Sequence, residues 1–189
     1  MCIRDRVHFD TISKRSDKNW IDGANSNLPD DIRVKRVYRV DNDFHARFLA
    51  TKRTYKYFIN TNIKSTIFNN TYTWVVGDKL SFSSMQLSMK YLKGVHDFSS
   101  FRSSICQSKS SIRTINSIKI EKEGEEIIFT IKARSFLHHQ VRNFVGSLSL
   151  IGIGKWEKKD LLRVLNACKR TEAGPTAPAH GLYLADIKY

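Results

Sequence analysis

The stretch RTINSIKIEKEGEEIIFTIKARSFLHHQVRNFVGSL, residues 113–148, changes period part-way along, and that change decides the fold class. From Glu126 to Ala133, Ile127, Phe129 and Ile131 point one way while Ile128, Thr130 and Lys132 point the other, which is the period of a β-strand. Arg113–Glu121 reads as a second strand, and EKEGE at residues 121–125 is the turn that folds the two into a hairpin. From His138 the apolar residues fall instead at helical spacing: Val141, Phe144, Val145, Leu148 and Ile151, with Gly152 and Gly154 ending the run. A hairpin followed by a helix is not the order of a doubly wound parallel sheet. It predicts an α+β fold.

The flanking segments keep this irregular alternation. SFSSMQLSMKYLKG (81–94) reads as a helix with Ser81 or Ser83 as its cap, and EKKDLLRVLNACK (157–169) as another. TEAGPTAP (171–178) is a loop and GLYLADIKY (181–189) a closing strand. FHARFLATKRTYKYFI (44–59) is strand-like with a bend near Ala50, and Val7–Thr11 and Ile32–Val40 alternate as strands do. Trp20–Leu28 is a short amphipathic segment stopped by Pro29, and Asn60–Asn70 is a polar loop, as is HDFSSFRSSICQSKSS at 96–111. The turn-rich VDND at Val40–Asp43 is the expected lobe boundary, separating 7–43 from a larger lobe over 44–189.

Charge narrows the function. Lys and Arg total 32 against 18 Asp and Glu, a net +14 and a pI near 9.8. An excess of that size on a folded domain is the footprint of a polyanion binder, RNA or DNA ahead of a membrane surface. Cys2, Cys106 and Cys168 are widely spaced and form no CxxC pair, which argues against a zinc ribbon or disulfide framework and for a reducing cytoplasm. No apolar run approaches membrane-spanning length, and Met1–Arg6 is not followed by a signal-peptide core. There is no phosphate-binding glycine loop, no GxGxxG and no GxSxG.

Four stretches could carry chemistry. On a strand, RTYKYFI places Arg53, Tyr55, Tyr57 and Ile59 on one face, offering a guanidinium for phosphate beside rings for base stacking; an ordinary tyrosine-rich strand fits it equally well. In FHARF, His45 and Arg47 share the face opposite Phe44, Ala46 and Phe48, the pattern of any half-buried strand. In HHQVRNF, Arg142 flanks the helix's apolar stripe, where it can pair with a carboxylate or simply face water. His138 and His139, about 100° apart on a helix and without HExxH spacing, do not make a metal site. The serine-rich loop with Arg102, Lys109 and Arg113 suits phosphate contacts, and Cys106 within it has no base partner nearby in sequence.

The wording of six ordered blocks goes further. VHFDT, ANSNLPDDIRV, FHARFLATKRTYKYFI, DFSSFRSSICQSKSSIRTI, ARSFLHHQVRNFVGSL and APAHGLYL resemble the TruA family of tRNA pseudouridine synthases, from Val7 to the end of the chain. The resemblance implies two ferredoxin-like lobes sharing one mainly antiparallel sheet, and a homodimer with no metal or organic cofactor. It implies isomerisation of uridine to pseudouridine in the anticodon stem-loop, at tRNA positions 38 to 40. An aspartate attacks the nucleoside, the N-glycosidic bond breaks, and the uracil turns and rejoins the ribose through C5. It further implies that Tyr55 stacks on the target uracil and that Arg142 pairs with the catalytic aspartate. Substrate contacts are implied for Arg53, His45, Arg47, Phe98, Ser108 and Lys109. A base flipped from its stack needs an aromatic platform and a basic rim, which the strand-face reading of Arg53 and Tyr55 supplies independently.

One departure stands out. The family's nucleophile sits in a G-R-T-D-x-G-V-H-A block upstream of VHFDT, where this sequence reads MCIRDR. Asp5 has no flanking glycine and Asp10 lies inside the following strand. The expectation is that Met1–Arg6 is foreign or misassembled, that the first lobe is incomplete, and that these 189 residues alone lack catalysis. The alternative from a different class is a non-catalytic RNA-binding remnant of the same fold.

Overall fold

In the computed structural model, which describes residues 5–65, 71–77 and 79–189, the hairpin closes over a two-residue loop. Glu123 pairs with Glu126, and Gly124 takes φ +60, the left-handed setting that a tight hairpin turn demands. The expected leader Met1–Arg6 falls mostly outside the described residues, as does the second half of the loop expected over Asn60–Asn70.

Among the described residues six strands form one sheet: β1 Lys52–Asn60, β2 Trp74–Val75, β3 Gly94–Asp97, β4 Ile112–Glu123, β5 Glu126–Ala133 and β6 Leu182–Lys188. The order is β2-β1-β5-β4-β3, with β6 beside β1; all pairs are antiparallel except the short β1–β2 contact. This is the mixed, mainly antiparallel sheet the hairpin pattern predicts. A bulge between Ile115 and Ser117 explains an irregularity in β4: the extra residue resets the pleat, so Ile115, Ile118 and Ile120 all face the same side despite their uneven spacing.

That side carries the core. Tyr57 and Ile59 of β1, Ile127, Phe129, Ile131 and Ala133 of β5, and Ile115 and Ile120 of β4 pack against helices α2 Phe82–Ser88, α3 Gln140–Gly152 and α4 Lys158–Ala167. Phe144, Val145 and Leu148 of α3 are wholly inaccessible, each large side chain contributing roughly 1.5–3 kcal/mol of burial. Ser81 caps α2 as expected, its hydroxyl accepting from Ser84 N–H. The loop expected over 96–111 begins inside β3, a short edge strand that sequence patterning does not announce because Val95 stays exposed. Helix α3 starts at Gln140 rather than His138, because His139 takes φ 63 and ψ 3 and cannot lie within a right-handed helix.

The chain divides into two compact units, Arg6–Leu49 and Ala50–Tyr189. The smaller unit corrects three expectations. Its helix α1, Asp17–Asn25, is capped by Ser16, so it starts before Trp20 and ends before Leu28. Val7–Thr11 and Ile32–Val40 have the strand pattern but form no ladder, because no described strand runs beside them to accept and donate. Instead the Asn25 amide donates to Val34 C=O at 3.1 Å and accepts from Val34 N–H at 2.8 Å, as a neighbouring strand would. FHARF is a turn rather than a strand: His45 Nδ1 accepts from the N–H of Arg47 (3.1 Å) and Phe48 (3.3 Å), and its ring lies 4.2 Å from that of Phe48.

Candidate active site

Strand β1 carries Arg53, Tyr55, Tyr57 and Ile59 along one face, and burial grades steadily along it. Ile59 and Tyr57 are fully buried. Tyr55, one pleat further and roughly 7 Å along the strand, is only half-buried. Its neighbours across the sheet are Ile131 and Leu184, and its ring meets Phe136 edge-on at 5.0 Å between centroids. Arg53 donates from Nη1 to the carbonyl of Arg134 at 2.5 Å. The strand therefore passes from core to a partly open aromatic pair at the loop leading into α3.

Arg142 stands in the first turn of α3 and is held in both directions by one residue. Its Nε donates to the carbonyl of Ala177 at 2.6 Å, while Ala177 N–H donates to the carbonyl of Arg142 at 3.2 Å. Next along, the Tyr57 hydroxyl donates to the carbonyl of Pro178 at 2.8 Å. Burial pushes the Tyr57 phenol up, against the opposing pull of the Arg142 charge. Gly181 completes the junction: a β-carbon there would lie 2.8 Å from both Phe58 O and the Tyr57 ring, so only glycine fits. Strand β1, the start of α3 and the segment 176–181 thus converge on Arg142.

The latch uses only Nε. Among the described residues no carboxylate lies within ion-pairing distance of Arg142, and no hydrogen bond occupies its two Nη groups. A guanidinium fixed through Nε with both Nη groups available presents the fork that a carboxylate or phosphate accepts in two parallel bonds. The loop before it is equally fixed. His138 N–H donates to Cys106 Sγ at 3.4 Å, His138 C=O accepts from Ser103 N–H at 3.0 Å, and the buried Gln140 side chain accepts from Leu137 N–H at 2.8 Å. The His138 and His139 rings stack at 3.9 Å instead of splaying, since His139 is left-handed. Burial, followed by the charges of His138, Arg142 and Arg170, holds the His139 imidazole below its ordinary value.

Other expected site residues lie elsewhere. Phe98 is a correction: it is fully buried, packed edge-on against Phe101 and Phe144, and has no surface to offer a substrate. Lys109 is exposed on the loop, and Ser108 accepts there from Arg113 Nη2 while donating to Ser110 C=O at 3.0 Å. Two arginines brace this loop from within, Arg102 to Cys106 C=O at 2.6 Å and Arg113 to Ser110 C=O at 3.0 Å. His45 and Arg47 belong to the smaller unit, where Arg47 lies over the Phe48 ring. The sequence offers Tyr57 only as a second ring on the Arg53–Tyr55 face and assigns no role of their own to Phe136, Ala177 and Pro178. The last two act through backbone carbonyls, which leave no side-chain signature; the close packing required of Gly181 is their one trace.

The family profile described as tRNA pseudouridine synthase matches residues 89–189. Over 187 residues the chain is 44% identical to tRNA pseudouridine synthase A of Colwellia psychrerythraea, covering 97% of this chain and 71% of that protein. It is 44% identical to the protein of the same name from Blochmanniella pennsylvanica (97% and 70% covered) and 40% identical to that of Maricaulis maris (97% and 74%).

Proposed function

The chain belongs to the tRNA pseudouridine synthase family, a family of isomerases acting on tRNA, and on that premise we propose that its Tyr55–Arg142 site serves uridine isomerisation in the anticodon stem-loop, at tRNA positions 38 to 40. The observation that carries the reading is the latched Arg142, its Nε held by Ala177 C=O and its Nη pair left for an anion. In the family's reaction a carboxylate attacks the nucleoside and the uracil departs, turns and rejoins through C5. A carboxylate paired with a fixed guanidinium stays ionised and aimed, which is what a nucleophile requires.

Tyr55 supplies the second requirement. A flipped uracil loses its stacking neighbours, and a half-buried tyrosine ring braced by Phe136 replaces one of them. The ring holds the detached base while it turns. Lys109, Ser108 and Arg53 are the proposed contacts to the RNA backbone, and His45 and Arg47, within the smaller unit, are proposed on the family resemblance alone as tRNA contacts. The nucleophilic aspartate is not assigned among the described residues. The same reading takes the protein as a cytoplasmic homodimer that needs no metal or organic cofactor.

The test maps pseudouridine in tRNA treated with the protein expressed from its natural reading frame, by carbodiimide adducts and primer extension. New adducts confined to the anticodon stem-loop are expected, retained by Tyr55→Phe and reduced about a hundredfold in rate by Tyr55→Ala, in line with the ~1–3 kcal/mol of one stacked base. Adducts elsewhere in the tRNA would overturn the positional assignment. Tight tRNA binding with no isomerisation at all would replace the proposal with the RNA-binding reading.

A further inference from the structure

Arg170 lies outside every block that suggested chemistry, yet it is the most heavily bonded arginine near the site. From the segment after α4 its Nη1 donates to the carbonyls of Gly174 (3.0 Å) and Ala173 (3.4 Å). Its Nη2 donates to Asn143 Oδ1 (3.2 Å) and Thr176 Oγ1 (2.8 Å). Thr176 in turn donates to Asn143 Oδ1 at 2.7 Å, and Asn143 Nδ2 donates to Phe101 C=O at 2.8 Å. Asn143 follows Arg142 in sequence, and Thr176 precedes Ala177. The Arg170 bridge therefore joins the two residues that stand directly beside the Arg142–Ala177 latch.

This arrangement has no use as an ion pair, since no carboxylate is within ion-pairing distance of Arg170 among the described residues. Its acceptors are all neutral and all belong to the two pieces of chain that the latch must hold together. Backbone contact reinforces the same junction: Gly174 N–H donates to Ser147 Oγ at 3.0 Å, and a β-carbon on Gly146 would sit 1.8 Å from Pro175 O. The segment 173–177 is thus pressed onto α3 along its length, and Arg170 supplies the side-chain bonds at the end nearest Arg142.

We infer that Arg170 is a positioning residue for the reaction, setting the Arg142 guanidinium by clamping the 173–177 segment onto the first turn of α3. The inference rests on the reading of Arg142 given above. Losing the clamp lets Ala177 C=O drift and the Arg142 fork rotate, and small misplacements of a reacting or orienting group cost up to about a hundredfold in rate. Affinity for tRNA, spread over many phosphate contacts, is little affected.

The experiment is a double-mutant cycle on the protein from its natural reading frame, using Arg170→Gln, Arg142→Ala and the pair, with single-turnover isomerisation rate, tRNA Kd and Tm measured for each. Arg170→Gln is expected to lower the rate at least tenfold with Kd changed less than about twofold, and to add nothing in the Arg142→Ala background. If both single changes slow the reaction and the losses multiply, Arg170 does not act through Arg142 and the inference fails. An unchanged rate in Arg142→Ala would instead sink the reading of Arg142 itself. Should Arg170→Gln not fold, Thr176→Val removes one arm of the clamp with its shape preserved, and the same non-additivity with Arg142→Ala is expected; additivity there is equally fatal.

Discussion

Arg142 and Ala177 hold each other by two hydrogen bonds of opposite sense, Nε–H to C=O at 2.6 Å and C=O from N–H at 3.2 Å. The relationship separates arginine from lysine at this position. A lysine would keep the charge but has no Nε–H for the latch and no planar fork for a carboxylate. Arg142→Lys is therefore expected to lose nearly as much isomerisation rate as Arg142→Ala, on the order of a hundredfold or more, with tRNA affinity almost unchanged. Single-turnover kinetics beside a binding isotherm check this; a lysine variant within threefold of wild type would show that charge alone suffices.

How much of this was legible differs between the parts of the site. The faces that Tyr55 and Arg142 take were readable, because period 2 on β1 and period 3.6 on α3 set them directly, whereas the roles expected of them came from the family resemblance. The junction that orders the two residues was not readable, because it is made of the carbonyls of Ala177 and Pro178 and of Arg170 in a segment that reads only as loop. In the sheet, β4, β5 and β6 announced themselves, whereas Val7–Thr11 and Ile32–Val40 have the pattern without the ladder. Alternation specifies which face a residue takes once paired. It does not supply the partner.

The burial of Phe98 against the exposure of Lys109 gives the serine-rich region two separable roles. Phe98→Ala leaves a cavity among Phe101 and Phe144 and is expected to cost about 3–5 kcal/mol of stability, read as a shifted denaturant midpoint. Lys109→Ala should leave that midpoint in place and instead weaken tRNA binding, with the slope of log K against log salt reduced by roughly one. A salt slope identical to wild type would remove Lys109 from the RNA surface.

Two glycines should respond to alanine with opposite signs. Both sit in helices, where alanine is better by about 1 kcal/mol on propensity alone. At Gly23 of α1 a β-carbon meets nothing within 4 Å, so Gly23→Ala should stabilise by about that amount. At Gly146 it would strike Pro175 O at 1.8 Å, a backbone atom that cannot swing aside, and overpacking of about 1–3 kcal/mol or more outweighs the propensity gain. Calorimetry should show Gly146→Ala melting several degrees below wild type; a higher Tm would mean that the 173–177 segment does not press on α3.

His139 makes the stability of this junction depend on pH. Burial, then the charges of His138, Arg142 and Arg170, hold its folded pKa below the ordinary 6.5. As pH falls through 6.5 the unfolded chain takes up a proton that the folded chain still refuses, so stability rises with pH across this window. The contribution is fully present above pH 6.5 and is lost as pH falls through the folded value. His139→Asn suits the test because asparagine tolerates the left-handed backbone at φ 63 and does not titrate. Acidifying from about pH 7.5 to about pH 5 should lower the Tm of wild type more steeply than that of the variant. Parallel curves would place the acid sensitivity elsewhere and leave His139 titrating as it does in water.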